Sequence, residues 1–471
     1  MEKNSRGKQL AKNTAILTVG KICTQCVSFF LLPLYTALLD PSEYGIVDIF
    51  STYAAFILPL CNWQMDMGLF RFMLDVRNNR QKQKMMVSTV MNTNHFQAVA
   101  FMLLFLILQF FSESQYKVFL ALEVVLNLYM ATLLQVARGI KRTDVYSIAS
   151  FLSASLSVIL NVLFIAVLRM GALGMFCGMI IGKFVTDIYL LIATKFWRFY
   201  SVRQFDRKFM KEIIRYSLPL VPNQIAWWVV GASDRTVITK VLGVAQNGIY
   251  SIAYKFPSMY ITFYNIFNLA WTESCALQFN DDDSDQYLSS VITTMFSLFS
   301  SICLGILSVM PFAFPVFINE KYSAAYVQIP ILLIAVLFQS VVGLISVVYT
   351  AKKLSAVLAK TSFWIAAINL VTNLLLIKSI GLYAASLSAC LAYAVMMIYR
   401  YLDVQKYVKI RIPLLKVIRA GLFVGFVGAT YYSSDYILHV LALIATVVYA
   451  IVENRELLLA VLRNAKMRCR K

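Results

Sequence analysis

The sequence is short of the side chains on which most enzyme chemistry depends. It holds 2 His in 471 residues. His95 and His439 stand alone, with no clustered set of His, Asp and Glu, so neither a metal nor a cofactor is expected. There is no GxxxxGK[ST] phosphate loop, which argues against ATP hydrolysis by this chain. The 8 Cys are scattered, mostly through apolar runs, and form no disulfide framework. Cys23 and Cys26 make a CxxC, but it lies in an apolar run without a second pair or a nearby His, and reads as helix packing. Acidic residues are scarce, 23 Asp+Glu against 43 Lys+Arg. No stretch between apolar runs approaches the roughly 50 residues of a small folded domain. Membrane glycosyltransferases and glycan polymerases need catalytic carboxylates on such a stretch, so an enzyme of that kind is disfavoured.

Apolar side chains are what the sequence has in abundance. The residues AVILMFWYC make up 60% of the chain, against roughly 45–50% in soluble domains. Mean hydropathy is +0.71. Lipid solvates outward-facing apolar side chains, so the composition fits a bilayer. The expected fold class is an all-α polytopic membrane protein of about fourteen helices, each roughly 20 residues long. Spans are expected at 14–38, 45–66, 87–111, 117–136, 145–168, 172–194, 214–234, 244–270, 288–312, 325–350, 356–377, 380–402, 414–432 and 435–453. The first is too long for a signal peptide and reads as a retained helix. The two spans between Pro219 and Thr272 are the most polar.

Basic residues crowd alternate gaps: the N-terminal tail (Lys3, Arg6, Lys8, Lys12), then 71–84, 138–142, 195–215, 352–360, 400–419 and the tail from Arg455. The opposite gaps hold only Lys117, Arg169, Arg235, Lys240, Lys321 and Lys378. By the positive-inside rule both termini are cytoplasmic. One gap dissents: Asn280–Asp285 has no base and several Asp, but acidic residues weigh little in orientation.

A short motif repeats. LLDPSEYGIVDIF follows the first span and VLGVAQNGIYSIAY follows the seventh, with Leu39, Gly45 and Ile46 meeting Leu242, Gly248 and Ile249 at one offset. Six spans separate the copies, so the halves would be parallel repeats. KNTAILTVGK (12–21) with LLDPSEYGIVDIF (38–50) resembles the opening of bacterial polysaccharide-biosynthesis flippases. SLPLVPNQIAWWVVGASDRTVITKVLGVAQNGIYSIAYK (217–255) resembles the start of their second half. These flippases belong to the multidrug/oligosaccharidyl-lipid/polysaccharide exporter superfamily. The resemblance implies an N-terminal six-helix lobe (1–200), a C-terminal six-helix lobe (201–412) and two extra helices with a basic tail (413–471), around a V-shaped cavity. It also implies carriage of an undecaprenyl-pyrophosphate-linked oligosaccharide between leaflets.

Ionisable residues at bilayer depth cost at least ~2.5–3.5 kcal/mol on insertion scales, which makes each a functional candidate. In the first span Thr14, Thr18, Lys21, Gln25 and Ser28 lie on one helical face. In the eighth, Ser251, Lys255, Ser258, Thr262 and Asn265 repeat that spacing. Such polar stripes must face water or polar protein, since lipid leaves them unsatisfied. Tyr250, Tyr254, Tyr260 and Tyr264 crowd the same helix; aromatic rings stack on sugars but also fill helix interfaces. Lys183 and Asp187 sit at i and i+4 in the sixth span and can pair. Glu123, Asp187 and Asp48 are the carboxylates able to couple transport to a proton or sodium ion. Asp48, Asp66 and Arg71 lie near the ends of the second span, where interface roles are also open. Pro219, Pro222 and Pro257 mark positions for a hinge or gate. Ser147, Ser150, Ser157 and Asn161 share a face of the fifth span, readable as polar lining or as tight packing.

A carrier of an anionic glycolipid needs a cationic place for the pyrophosphate, and Lys21, Gln25, Lys183, Tyr254, Lys255 and Ser258 are expected to supply it. The alternatives are an ion-coupled multidrug exporter on the same scaffold, a peptidoglycan-precursor flippase, or, against the composition, a polymerase or glycosyltransferase. Expected partners are the lipid-linked oligosaccharide, the membrane, and a polysaccharide polymerase with chain-length machinery; nucleic acid is not expected.

Overall fold

The computed structural model describes residues 29–76, 78–111, 114–279, 283–352 and 354–459. Among these the chain is helical throughout, with no strand. It forms two compact units, residues 1–239 and 240–471. The first holds α1 (Leu32–Leu38), α2 (Pro41–Asn62), α3 (Met65–Asp75), α4 (Arg80–Leu108), α5 (Lys117–Gly139), α6 (Thr143–Asn161, extended by a π-helical stretch Val162–Val167), α7 (Gly171–Ala193), α8 (Arg207–Ser217) and α9 (Leu220–Val241). The second holds α10 (Val244–Gln278), α11 (Ser284–Phe317), α12 (Ile329–Ala351), α13 (Ser355–Ile380), α14 (Tyr383–Val404), α15 (Leu414–Tyr431) and α16 (Tyr436–Glu453).

Among the described residues 11 helices are long and apolar enough to cross a membrane. Their outward faces confirm the medium. On α16, Ile437, Leu441, Ile444, Val448 and Ile451 recur about a turn apart and are exposed, while Ala442, Thr446 and Tyr449 are buried. A continuous aliphatic stripe of this kind is unfavourable in water and at home in lipid. The protein is therefore a multi-pass membrane protein. In the second unit α12 is the central helix, with Leu332, Leu333, Val336, Leu344, Ile345 and Val348 all buried. The first span expected from sequence lies mostly outside the described residues.

The remaining expected spans appear as helices with three departures. First, α9 is not a helix over 214–234 but begins at Leu220, because Pro219 has no N–H to donate and its ring clashes with the preceding turn. Pro222 sits in the first turn, where an N–H has no intrahelical acceptor. Second, the residues before that break form the separate amphipathic helix α8. Asp206 caps it, accepting from the N–H groups of Lys208 and Phe209 at 2.8 and 2.9 Å. Phe209, Ile213 and Ser217 make its buried face. Third, α3 departs from α2 through two left-handed residues, Trp63 (φ 51°) and Gln64 (φ 54°). The Asn62 side chain holds this turn, accepting from the Gln64 N–H at 2.8 Å and donating to Asp66 at 3.0 Å. Asp66 is thus a buried structural residue rather than an interface charge. The α3 and α8 helices pack closely: a Cβ on Gly68 would lie 2.2 Å from Ser217 Oγ.

The α6–α7 contact resolves the serine stripe of the fifth span. A Cβ on Gly178 would meet Asn161 Oδ1 at 2.2 Å, and one on Gly182 would meet Ser157 Oγ at 2.4 Å. Gly174, Gly178 and Gly182 recur every four residues, the small-residue face that lets membrane helices approach. Ser147 and Ser150 bond back to the carbonyls of Thr143 and Tyr146. Ser157 and Asn161 therefore belong to tight packing.

Candidate functional site

The polar stripe of the second unit lies on α10, a helix of 35 residues that continues through Pro257. Lys255, Ser258 and Tyr254 are half-buried on it. Ser258 Oγ donates to the Lys255 carbonyl at 2.7 Å, and Thr262 Oγ1 to the Ser258 carbonyl at 2.9 Å. These back-bonds pair the hydroxyls with carbonyls of their own helix. The tyrosines divide. Tyr250, Tyr260 and Tyr264 are buried; Tyr260 meets Ser340 Oγ of α12 at 2.9 Å, and Tyr264 packs edge-on against Phe299 of α11. These rings fill the bundle. Only Tyr254, stacked on Tyr250 at 6.3 Å, keeps exposed surface. Lys21 and Gln25 lie outside the described residues.

The first unit carries ion pairs at bilayer depth. Lys183 on α7 donates to Glu123 Oε1 on α5 at 2.7 Å, and both side chains are largely buried. This replaces the expected Lys183–Asp187 pair. An i,i+4 neighbour is within reach along the helix, but Glu123 projects from the facing helix α5. Asp187 is also buried, and its Oδ1 has no hydrogen-bond partner. Of the three carboxylates singled out from the sequence, Asp187 is the one with a buried oxygen not taken up by a bond.

The third carboxylate, Asp48, meets Arg235 Nε of α9 at 2.9 Å. Further along, Trp228 Nε1 donates to the Thr52 carbonyl at 2.9 Å, and the Trp228 ring lies 4.6 Å from that of Phe56. Asp48, Thr52 and Phe56 follow one face of α2 at four-residue spacing. Trp228 and Arg235 follow one face of α9. The helices α2 and α9 thus meet in an antiparallel side-chain clasp.

The first motif also explains a local contact. Asp40 and Glu43 form a capping box on α2, with the Asp40 N–H donating to Glu43 Oε2 at 3.0 Å. Glu43 Oε1 accepts from the Ala172 N–H at 3.3 Å, at the start of α7. Gly171 (φ 57°) allows that approach, since a Cβ there would lie 2.1 Å from Glu43 Oε1.

Sequence reasoning missed Arg400, which falls in a basic gap by position but is buried on α14. Its Nη1 donates to Ser346 Oγ of α12 and its Nη2 to Thr361 Oγ1 of α13 at 2.8 Å. Asp403, one turn on, accepts from Tyr349 OH at 2.8 Å and from Lys406 at 2.7 Å. The Asp403 carboxylate holds the Lys406 ammonium above the usual lysine range. Only a signal linking α12, α13 and α14 in space would have found this cluster. His95 has a structural role: its two ring nitrogens meet Tyr129 OH at 2.9 Å and Tyr200 OH at 3.1 Å. Among the described residues no three His, Cys, Asp or Glu side chains come together as metal ligands.

The fold has solved counterparts. A structure described as lipid II flippase MurJ in an inward closed conformation aligns at a TM-score of 0.66 and 14% identity, covering 94% of this chain and 100% of that one. An inward-facing multidrug resistance MATE family transporter of the MOP superfamily aligns at 0.63 and 12% identity, covering 84% and 95%. An outward-facing member of that description aligns at 0.56 and 13%, covering 87% and 96%. A comparison with curated proteins finds no match. A family model described as polysaccharide biosynthesis protein matches residues 10–272, which include both motif stretches. The expected family resemblance holds, and the chain belongs to the polysaccharide biosynthesis protein family.

Proposed function

We propose that this protein flips undecaprenyl-pyrophosphate-linked oligosaccharide units from the cytoplasmic to the outer leaflet of the cell inner membrane, for surface polysaccharide synthesis. The observation that carries the reading is the family match over residues 10–272 on a polytopic transporter fold. A half-buried lysine on the polar face of α10 supports an anionic cargo. Both termini face the cytoplasm. Residues 1–200 and 201–412 act as two lobes that rock about a cationic site to give alternating access, and residues 413–471 add two helices and a basic tail. Lys255 and Lys21 hold the pyrophosphate by charge-assisted bonds, with Gln25, Ser258, Tyr254 and Lys183 completing the substrate set. Asp187 is the first coupling candidate, ahead of Glu123 and Asp48, which are committed to ion pairs. Pro219, Pro222 and Pro257 supply the hinges, and the protein performs no covalent chemistry. A polymerase and chain-length machinery take up its product.

The test is flipping of a fluorescent lipid-linked oligosaccharide in proteoliposomes. Lys21→Ala and Lys255→Ala are each expected to abolish flipping while insertion and folding persist. Unchanged flipping removes that lysine from the mechanism. The likeness to multidrug transporters favours one second reading, export of cationic drugs. Uptake of a cationic dye into the same vesicles, with no flipping of the lipid, would establish it instead.

A further inference from the structure

A second cation-rich place lies at the loop ends of the first unit. The joint between α3 and α4 (Asn78, Arg80, Gln83), the joint between α5 and α6 (Ile140, Arg142) and the turn after α7 (Thr194, Lys195, Arg198, Phe199) line one cavity of about 340 Å³. Four of these side chains are cations. Arg142 is neutralised by Asp144 at 2.9 Å, whereas no carboxylate among the described residues pairs with Arg80, Lys195 or Arg198. Three like charges from two chain segments, the start of α4 and the turn after α7, are therefore held around one concave surface that the α5–α6 joint completes. The geometry is fixed by packing: Thr194 is buried, and the Arg80 guanidinium lies 5.4 Å from the centre of the Phe199 ring. Arg80 also opens α4, whose N-terminal end adds positive potential. Arginine forks and an ammonium around a small polar space suit the tetrahedral oxygens of a phosphate.

The surroundings identify where that phosphate comes from. Trp197, in the same turn as Lys195 and Arg198, is 61% exposed, and Val202 just beyond is 72% exposed. An exposed tryptophan at the end of a membrane helix sits at headgroup level, and basic pockets between helix ends at that level receive anionic headgroups. We propose that this pocket binds the phosphate headgroup of an anionic phospholipid in the leaflet facing these loops, at a site separate from the α10 stripe.

The experiment is thermal unfolding of the full chain in detergent with phosphatidylglycerol, phosphatidylcholine or inorganic pyrophosphate added. One triple variant, Arg80→Gln/Lys195→Gln/Arg198→Gln, empties the pocket of charge. A second, Lys208→Gln/Lys211→Gln/Arg215→Gln, removes the same charge from the exposed face of α8. Phosphatidylglycerol is expected to raise Tm by several degrees in the parent and the α8 variant and at least tenfold more weakly, by concentration, in the pocket variant, with phosphatidylcholine inert. An equal response in the pocket variant overturns the site, as does an equal loss in the α8 variant, which would mean diffuse charge attraction. A shift from pyrophosphate with none from phosphatidylglycerol overturns the lipid assignment and leaves a soluble phosphate compound as ligand. If the triple variant does not fold, the single variants Lys195→Gln and Arg198→Gln, both at exposed positions, decide between the same outcomes.

Discussion

Lys183 and Glu123 show why a buried pair is judged by removing one partner and then both. Lys183→Met alone strands the Glu123 carboxylate in the bundle and is expected to cost about 3–5 kcal/mol. Lys183→Met with Glu123→Leu removes the stranded charge and recovers most of that loss in thermal unfolding. If the double variant still transports, the pair holds the helices and does no more. If it is stable but inactive, the pair takes part in the cycle. Arg400 gives a contrasting case, a buried guanidinium held by hydroxyls. Arg400→Leu removes its charge but leaves Ser346 and Thr361 able to bond back to their own helix, so thermal unfolding is expected to drop by no more than about 1–3 kcal/mol. At this scale the sequence was half legible. Helical periodicity shows which residues share a face, and it found the Lys255 stripe. It cannot show which helix meets that face, so it offered Asp187 as the partner of Lys183 and overlooked Arg400 entirely.

Among the elements, long apolar runs were readable because lipid demands them, and every expected span with described residues has a helix. What escaped were α3 and α8, short and amphipathic, whose apolar residues every third or fourth position never make a continuous run. The break at Pro219 was visible as a pair of prolines but not as a helix end, since proline in a membrane span can be accommodated by its neighbours. The glycine face of α7 makes the sharpest prediction here. Gly178→Leu must push α6 away from α7 and is expected to destabilise by about 1–3 kcal/mol, whereas the same change at Gly425 on α15, where a Cβ meets nothing within 4 Å, is expected to be nearly neutral. Paired thermal unfolding curves compare them directly.

For the whole molecule, the repeat motif suggests two similar halves but does not reveal the α2–α9 clasp, which lies within the first unit. Any cycle that moves α9 against α2 must open the Asp48–Arg235 pair and withdraw Trp228 from Thr52. Asp48→Asn and Arg235→Gln are each expected to slow transport several-fold or leave the cycle leaky, and exchanging the two charges in Asp48→Arg/Arg235→Asp is expected to restore part of the rate. A double exchange as poor as the single changes would mean that the pair's surroundings, and not its attraction, set the rate.

Glu43 has a consequence for how the chain is made. Its carboxylate closes the start of α2 and the start of α7 at once, although Ala172 follows it by 129 residues. During synthesis the second span therefore leaves the translocon with its own cap closed by Glu43 Oε2, while Glu43 Oε1 waits for the start of the sixth span to arrive. A nascent chain truncated before Gly171 should remain open to protease at 38–45, and one extended past Ala193 should become resistant, which places the completion of the first half late in its own biogenesis.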